Sequence, residues 1–191
     1  LLTECTPEDG HVLIFRASSG QELKSLAELH PGWTYVGVEP SAQMLDIART
    51  MIADHAASIT FHEGYIQNAP DGPFDAATSI LVFHFIDREQ RLETLRQIRL
   101  RLKAGAPFIL VHLSFPQEEP ERSRWIARHV NFGILNGNDP ASADAACEAI
   151  AERLTILSPE EDVDMLRQAG FSDVSLFYAG LSIKGWVAYA A

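Results

Sequence analysis

Three side chains that could bind or react with a ligand stand at the ends of apolar segments. Glu39 directly follows the segment 34–38, and His84 and His112 stand at or near the ends of two later apolar runs. A carboxylate has two acceptor oxygens, which suit the neighbouring hydroxyls of a ribose, and an imidazole that titrates near neutrality can act as a general base. From these residues alone, other interpretations stay open. Glu39 could be a solvated loop residue, and each histidine could be a hydrogen-bonded residue of the core.

These segments alternate with helical patterns along the chain. Short apolar runs bounded by turn residues predict strands, and apolar residues three and four apart predict helices. Because strands and helices alternate, the sequence predicts a three-layer α/β sheet that is mostly parallel and binds ligands at the carboxyl ends of its strands. The predicted parallel strands cover residues 11–15, 34–38, 59–62, 74–83 and 107–113, and a terminal antiparallel pair covers residues 174–178 and 183–189.

The second half of the chain contains a long helical segment. Residues 117–157 predict two helices with no strand between them, which we interpret as an insertion into a single domain covering residues 1–191. Because the insertion follows the fifth strand, it could cover the substrate side of the sheet, or it could form the surface of a homodimer. The next helix has a clear start, because Ser158 and Glu161 form a capping box.

The composition argues against several classes of protein. The 191 residues carry 15 basic and 26 acidic side chains, a formal net charge of −11, and no dense basic cluster, so we expect no nucleic acid partner. The apolar stretches are shorter than the roughly 20 residues that cross a bilayer, so we expect no membrane segment. Cys5 and Cys147 are far apart and outside any CxxC pair, which predicts no disulfide framework and no metal site, and favours the cytoplasm.

Six segments, in this order, resemble the motifs of the class I S-adenosylmethionine-dependent methyltransferases. The resemblance covers nearly the whole chain, from Val12 to Tyr189. Each segment alone is weakly specific, whereas six in the correct order are specific. The segments are VLIFRASSG at 12–20, VGVEPSAQML at 36–45, HEGYIQNAPDGPFDAATSILVFHF at 62–85, LRQIRLRLKAGAPFILVHLS at 95–114, AGF at 169–171 and GWVAYA at 185–190.

This resemblance implies a Rossmann-like methyltransferase sheet with S-adenosylmethionine as its cofactor. Glu39 resembles the acid that binds the ribose, the loop 15–20 would face the methionyl part, and Tyr65 and Ile66 would face the adenine. The implied cofactor-binding residues are Phe15, Arg16, Ala17, Gly20, Glu39, Pro40, Met44, Tyr65, Ile66, Ser79 and Ile80, with His84 and His112 as candidate catalytic bases.

Four positions depart from the family pattern. Ile14 replaces the acid at the end of the first strand, Arg16 and Ser18 replace the first two glycines of the following loop, and Tyr65 replaces an aspartate that contacts adenine. Glycine in that loop lets the backbone approach a ligand closely, often at positive φ. Arg16 could therefore swing outward and pair with a cofactor carboxylate, fill the methionyl part of the pocket, or lie in solvent.

We expect from these observations an S-adenosylmethionine-dependent methyltransferase acting on an unidentified small molecule. One alternative is a pseudoenzyme that keeps the fold as a binding or dimerisation module. A more distant alternative is a nicotinamide oxidoreductase, against which the missing GxGxxG motif counts. The family usually has a helical lid before the first strand, whereas the strand here starts by Val12. We therefore also expect that a native N-terminal segment is missing from this chain, disordered or removed, and that the cofactor cleft is unusually exposed.

Overall fold

A seven-stranded sheet forms the centre of the protein, in the computed structural model that describes residues 1–191. The strands are β1 (His11–Phe15), β2 (Thr34–Glu39), β3 (Ile59–Glu63), β4 (Ala76–Ile80), β5 (Pro107–Leu113), β6 (Phe171–Gly180) and β7 (Ile183–Ala190). Their order is β3-β2-β1-β4-β5-β7-β6, with β1 to β5 parallel and β7 antiparallel to both β5 and β6. The predicted fold class is therefore confirmed.

Seven helices accompany the strands, one before β1 and six between strands. They are α1 (Leu2–Cys5), α2 (Gln21–Leu29), α3 (Ala42–Met51), α4 (Arg88–Leu100), α5 (Glu121–Leu135), α6 (Ala143–Arg153) and α7 (Pro159–Gln168). Short 3-10 turns lie at Ala53–Ser58, Ile66–Asn68, Phe83–Phe85 and Pro140–Ser142. None of the helices combines the length and the hydrophobicity that a membrane crossing requires.

The sheet is covered on both faces, and β1 shows how the sequence achieves this. Successive side chains of a strand point to opposite faces, and every residue from Val12 to Phe15 is buried. Leu13 and Phe15 join a core that includes residues of α4 and α7, whereas Val12 and Ile14 join a second core that includes residues of α2. This continuous apolar run is typical of a central parallel strand.

The predicted capping box is confirmed at the start of α7. The hydroxyl of Ser158 accepts a hydrogen bond from the backbone N–H of Glu161 at 3.2 Å, and the Glu161 carboxylate accepts one from the backbone N–H of Ser158 at 2.9 Å. Two backbone donors at the helix start are thereby satisfied by side chains. The box fixes where α7 begins, and α7 supplies a residue to the buried cluster described below.

The strand predicted over residues 74–83 is shorter than expected. β4 ends at Ile80 because Leu81 takes a positive φ of 59°, which turns the chain out of the sheet, and a 3-10 turn follows. Val82 and Phe83 are still buried, but from this turn rather than from the strand. A continuous apolar run cannot by itself distinguish these two arrangements.

Candidate functional site

The loop after β1 keeps a backbone shape that suits glycine, although two of the expected glycines are absent. Its φ angles are 62° at Arg16, 50° at Ser18 and 82° at Gly20, which are the three positions that correspond to glycines in the resemblance. Residues other than glycine cost on the order of 1 kcal/mol or more in this left-handed region. The surrounding structure therefore holds Arg16 and Ser18 in a backbone conformation that these residues do not favour. The loop lies at the carboxyl edge of the sheet.

Glu39 ends β2 and joins two loops at this edge. Its side chain is almost fully buried, and its Oε2 accepts a hydrogen bond from the backbone N–H of Ser18 at 3.2 Å. Its Oε1 accepts another from the backbone N–H of Ser41 at 3.1 Å. The Arg16 guanidinium lies 3.5 Å from the same Oε1, with 30% of the arginine side chain exposed. Glu39 thus organises the loops after β1 and β2.

A cavity of about 200 Å³ lies beside the first loop. It brings together four of the predicted cofactor-binding residues, namely Phe15, Arg16, Tyr65 and Ile66. The remaining lining residues are Gln67, Phe85, Ile86, Gln90, Glu93 and Thr94. Most of these belong to α4 or to the turn before it, where the sequence carries only an ordinary helical pattern. They could be found only once the fold had placed α4 opposite the first loop.

The other predicted cofactor residues lie outside this cavity. Ala17 is buried in the core on the α2 side of the sheet. A Cβ atom on Gly20 would lie 3.0 Å from Ala48, so glycine at this position also allows α2 to pack closely on α3. Ser79 is fully buried and its hydroxyl has no partner in the protein. Pro40 and Met44 are partly exposed, and Ile80 is exposed.

His112 is enclosed in a buried cluster of polar side chains. It is fully buried, with the rings of Phe83 and Trp186 at centroid distances of 6.0 Å and 5.5 Å. Its Nε2 lies 3.4 Å from Oδ1 of Asp162, and Nη1 of Arg91 lies 3.3 Å from the same oxygen. This enclosure favours a structural role for His112.

Arg91 is the hub of that cluster. Its guanidinium donates hydrogen bonds to the carbonyls of Phe83, Ile86 and Thr155, and it is 1% exposed while its partner Asp162 is 2% exposed. The contacts tie α4 to the turn after β4 and to the segment that precedes α7. A buried arginine of this kind must keep its partners, because an unpaired charge in the interior is costly.

His84 is a buried histidine whose ring packs against a residue that lines the cavity. Its Nδ1 accepts a hydrogen bond from the backbone N–H of Leu113 at 3.4 Å. Burial, together with the nearby charges of His112 and Arg91, lowers the pKa of His84 to about 3, so the imidazole is neutral at physiological pH. Its ring centroid lies 4.4 Å from that of Phe85, which lines the cavity.

Glu22 is a titratable residue that the sequence pattern did not distinguish. It stands in the first turn of α2, where an acidic residue is expected simply because it suits the helix dipole. The hydroxyl of Thr78 donates a hydrogen bond to its carboxyl group, and Thr78 is the neighbour of Ile14 across the β1–β4 pair. Burial raises the pKa of Glu22 to about 7, against the opposing effect of the Thr78 hydrogen bond. The carboxyl group of Glu22, a residue of α2, therefore lies near the end of β1.

These features fit S-adenosylmethionine as a ligand. The first loop has the required backbone shape, Glu39 presents a carboxylate at the end of β2, and apolar and aromatic side chains line the cavity. The unpartnered hydroxyl of Ser79 is a further polar group at the end of β4. Pockets for drug-sized ligands usually measure roughly 300–1,000 Å³. The cavity can thus enclose only part of the cofactor, and the rest would have to lie along the strand ends.

The sheet order and this edge together define a class I S-adenosylmethionine-dependent methyltransferase fold. The family model described as a methyltransferase domain matches residues 13–108. The chain therefore belongs to the methyltransferase domain family. A curated relative, the carboxy-S-adenosyl-L-methionine synthase of Campylobacter lari, is 23% identical over 192 residues, which is 99% of this chain and 81% of that protein.

Solved structures show the same fold. An O-methyltransferase family protein from Burkholderia thailandensis has a TM-score of 0.72 at 16% identity, covering 95% of this chain and 51% of that one. Human N-acetylserotonin methyltransferase in complex with S-adenosylmethionine has a TM-score of 0.68 at 14% identity, covering 95% of this chain and 48% of that one. The chain thus spans about half the length of these two structures. The family and its neighbours support S-adenosylmethionine as the cofactor.

Proposed function

We propose that this protein transfers the methyl group of S-adenosylmethionine to a small-molecule acceptor. The observation that carries the proposal is the first loop, whose positive φ angles at Arg16, Ser18 and Gly20 preserve the family's loop shape beside Glu39. When bound, the cofactor supplies a methyl group already activated by a sulfonium. The protein then has mainly to orient the two reactants for an in-line displacement.

The residue roles in this proposal follow from their positions. Glu39 binds the ribose hydroxyls with oxygens that already face the edge of the sheet. Tyr65 and Ile66 contact the adenine, since they line one cavity with the first loop. Ser79 and Ile80 border the methionyl part from the end of β4.

We propose His84 rather than His112 for the acceptor side. His84 touches the cavity through Phe85, whereas His112 is enclosed by Asp162 and aromatic rings. A pKa of about 3 keeps the imidazole of His84 neutral and also makes it a weak base, so its proposed role is to position Phe85 on the acceptor side rather than to remove a proton. In the same proposal α5 and α6, which follow β5, cover the acceptor. Association of two copies through these helices is the competing proposal for that surface.

A second candidate function is the synthesis of a carboxylated form of S-adenosylmethionine. The observation that favours it is the match to carboxy-S-adenosyl-L-methionine synthases over 99% of this chain. Mass spectrometry of nucleosides that co-purify with the protein would distinguish the two functions. Carboxylated S-adenosylmethionine bound to the protein would favour the second candidate, and S-adenosylhomocysteine would favour methyl transfer.

Thermal melting with S-adenosylhomocysteine, with NADH as the control ligand, tests cofactor use directly. A ligand at 100 times its dissociation constant stabilises the folded state by about 2.7 kcal/mol. For a domain of this size, that corresponds to a rise in Tm of roughly 5–10 °C. We expect this rise with S-adenosylhomocysteine and none with NADH. A rise with NADH alone would contradict the proposed function.

A further inference from the structure

Arg16 has a conformation that its own side chain does not favour. It is the first residue of the loop after β1, its φ is 62°, and the family usually has glycine there. A long side chain in the left-handed region is uncommon, and such outliers cluster at ligand sites, where the surrounding structure maintains them. The arginine is therefore a substitution that the loop tolerates at a cost, beside the cavity.

The Arg16 guanidinium has unused donors. Its contact with Glu39 is 3.5 Å long and is an ion pair only, since no hydrogen bond is formed. Arg91 differs, because its guanidinium donates to three backbone carbonyls and to Asp162. Arg16 is also partly exposed, whereas Arg91 is 1% exposed. Arg16 can therefore offer a pair of parallel N–H groups to a ligand.

Glu39 does not depend on Arg16 for its position. Two backbone N–H groups, from Ser18 and Ser41, already hold its two oxygens. A partly exposed ion pair contributes little to stability. The Arg16–Glu39 contact can therefore open without disturbing the loops, and hydroxyls that bind Glu39 would compete with Arg16 for the same oxygen.

The cavity gives Arg16 an environment suited to an anion with an apolar body. Arg16 is the one cationic side chain in its lining, and Phe15, Ile66 and Phe85 supply apolar surface. The one acidic side chain in the lining, Glu93, already has partners on α4: its carboxylate accepts a hydrogen bond from Gln97 and lies 3.9 Å from Arg96. The chain as a whole carries a net charge of −11, so a cation at this edge runs against the overall charge. Its pairing with a ligand carboxylate would be charge-assisted and bidentate.

We propose that Arg16 is a specificity-determining residue that binds a carboxylate of the ligand, released from Glu39 when the ribose takes its place. This inference rests on the proposed function. The carboxylate could be that of the cofactor's amino-acid part, or the extra one of a carboxylated S-adenosylmethionine. Both are carboxylates within one nucleoside ligand, and the probes below distinguish them.

Calorimetry on wild type and Arg16→Gln, with Arg167→Gln as the matched control, tests the proposal. Arg167 is an exposed arginine of α7 that pairs with Asp164. The probes are methylthioadenosine, which lacks the amino-acid part, S-adenosylhomocysteine, S-adenosylmethionine and its carboxylated form. We expect Arg16→Gln to weaken S-adenosylhomocysteine binding at least tenfold and to change methylthioadenosine binding less than twofold. Arg16→Lys should recover part of the loss, and Arg167→Gln should change nothing.

Other outcomes decide the source of the carboxylate or overturn the proposal. A loss confined to the carboxylated form would assign Arg16 to the extra carboxylate. Equal changes for all four probes, including equal tightening, would show that Arg16 only competes for Glu39 and would overturn the proposal. If wild type bound none of the probes, the proposed function would fail and the inference with it. Melting of each unliganded variant separates these results from misfolding.

Discussion

Two buried carboxylates of this protein each pair with an arginine, yet the two pairs differ in almost every other respect. Asp162 and Arg91 are 2% and 1% exposed, with His112 against the same carboxylate oxygen. Glu39 is also buried, but Arg16 is 30% exposed and its contact is 3.5 Å long. We call the buried Arg91–Asp162 pair the closed pair. We call the partly exposed Arg16–Glu39 pair, at the carboxyl edge of the sheet, the open pair. Because the two nitrogen–oxygen distances are similar, the exposure of the arginine decides which arginine can leave its carboxylate to bind a ligand.

The partners of the two arginines support this distinction. Arg91 is held by backbone carbonyls from two separate segments, so moving it would leave several acceptors unpaired. Arg16 has no such partners, and Glu39 is held by backbone N–H groups instead. We infer that the closed pair fixes the position of α7, and that the open pair serves binding. Converting each carboxylate to its amide makes the same chemical change in both pairs.

Asp162→Asn should have the largest effect, and it should be on stability. The substitution leaves the Arg91 charge buried without a counter-charge, and breaking a buried pair in this way costs roughly 3–5 kcal/mol. Denaturant unfolding measures the loss. Arg167→Gln, on the exposed side of α7, is the control and should lie within about 0.5 kcal/mol of wild type. A loss below about 1 kcal/mol for Asp162→Asn would mean that the pair is not closed in solution.

Glu39→Gln should act mainly on binding. The amide oxygen can still accept one loop N–H, but the ribose hydroxyls lose a charged acceptor, and hydrogen bonds to charged groups contribute roughly 1.5–3 kcal/mol against 0.5–1.5 for neutral ones. We expect affinity for S-adenosylhomocysteine to fall at least about tenfold by calorimetry, or roughly 1.4 kcal/mol. Unchanged affinity, with lowered stability, would show that Glu39 only organises the loops. Glu39 would then serve stability, as Asp162 does, and the two pairs would not differ in role.

Much of the fold could be predicted because its signals are local. The strand β1 and the capping box at Ser158 depend on neighbouring residues only, and both appear where the sequence places them. The end of β4 could not be predicted, since a left-handed Leu81 is decided by the structure around it. The site divides in the same way. Glu39 stands at the end of a strand and can be identified from the sequence, whereas Gln90 and Thr94 meet the first loop only through tertiary packing.

Glu22 gives the comparison a third carboxyl, one without an arginine. Its hydrogen bond comes from the neutral hydroxyl of Thr78, and burial raises its pKa to about 7 from 4.5. The folded state therefore binds a proton that the unfolded state releases between about pH 4.5 and 7. The stabilisation is fully present below pH 4.5 and is lost as the pH rises through about 7.

Glu22→Gln should remove this dependence and cause the smallest change of the three variants near pH 5. Relative to the variant, the free energy of unfolding of wild type should fall as the pH rises from about 4.5 through 7. The fall is at most about 1.4 kcal/mol per pH unit, because a single proton is involved. Denaturant unfolding at pH 5, 6, 7 and 8 measures the difference between the two proteins, in which the opposite dependence from His84 cancels. If the difference did not change with pH, Glu22 would be ionised in the folded state throughout.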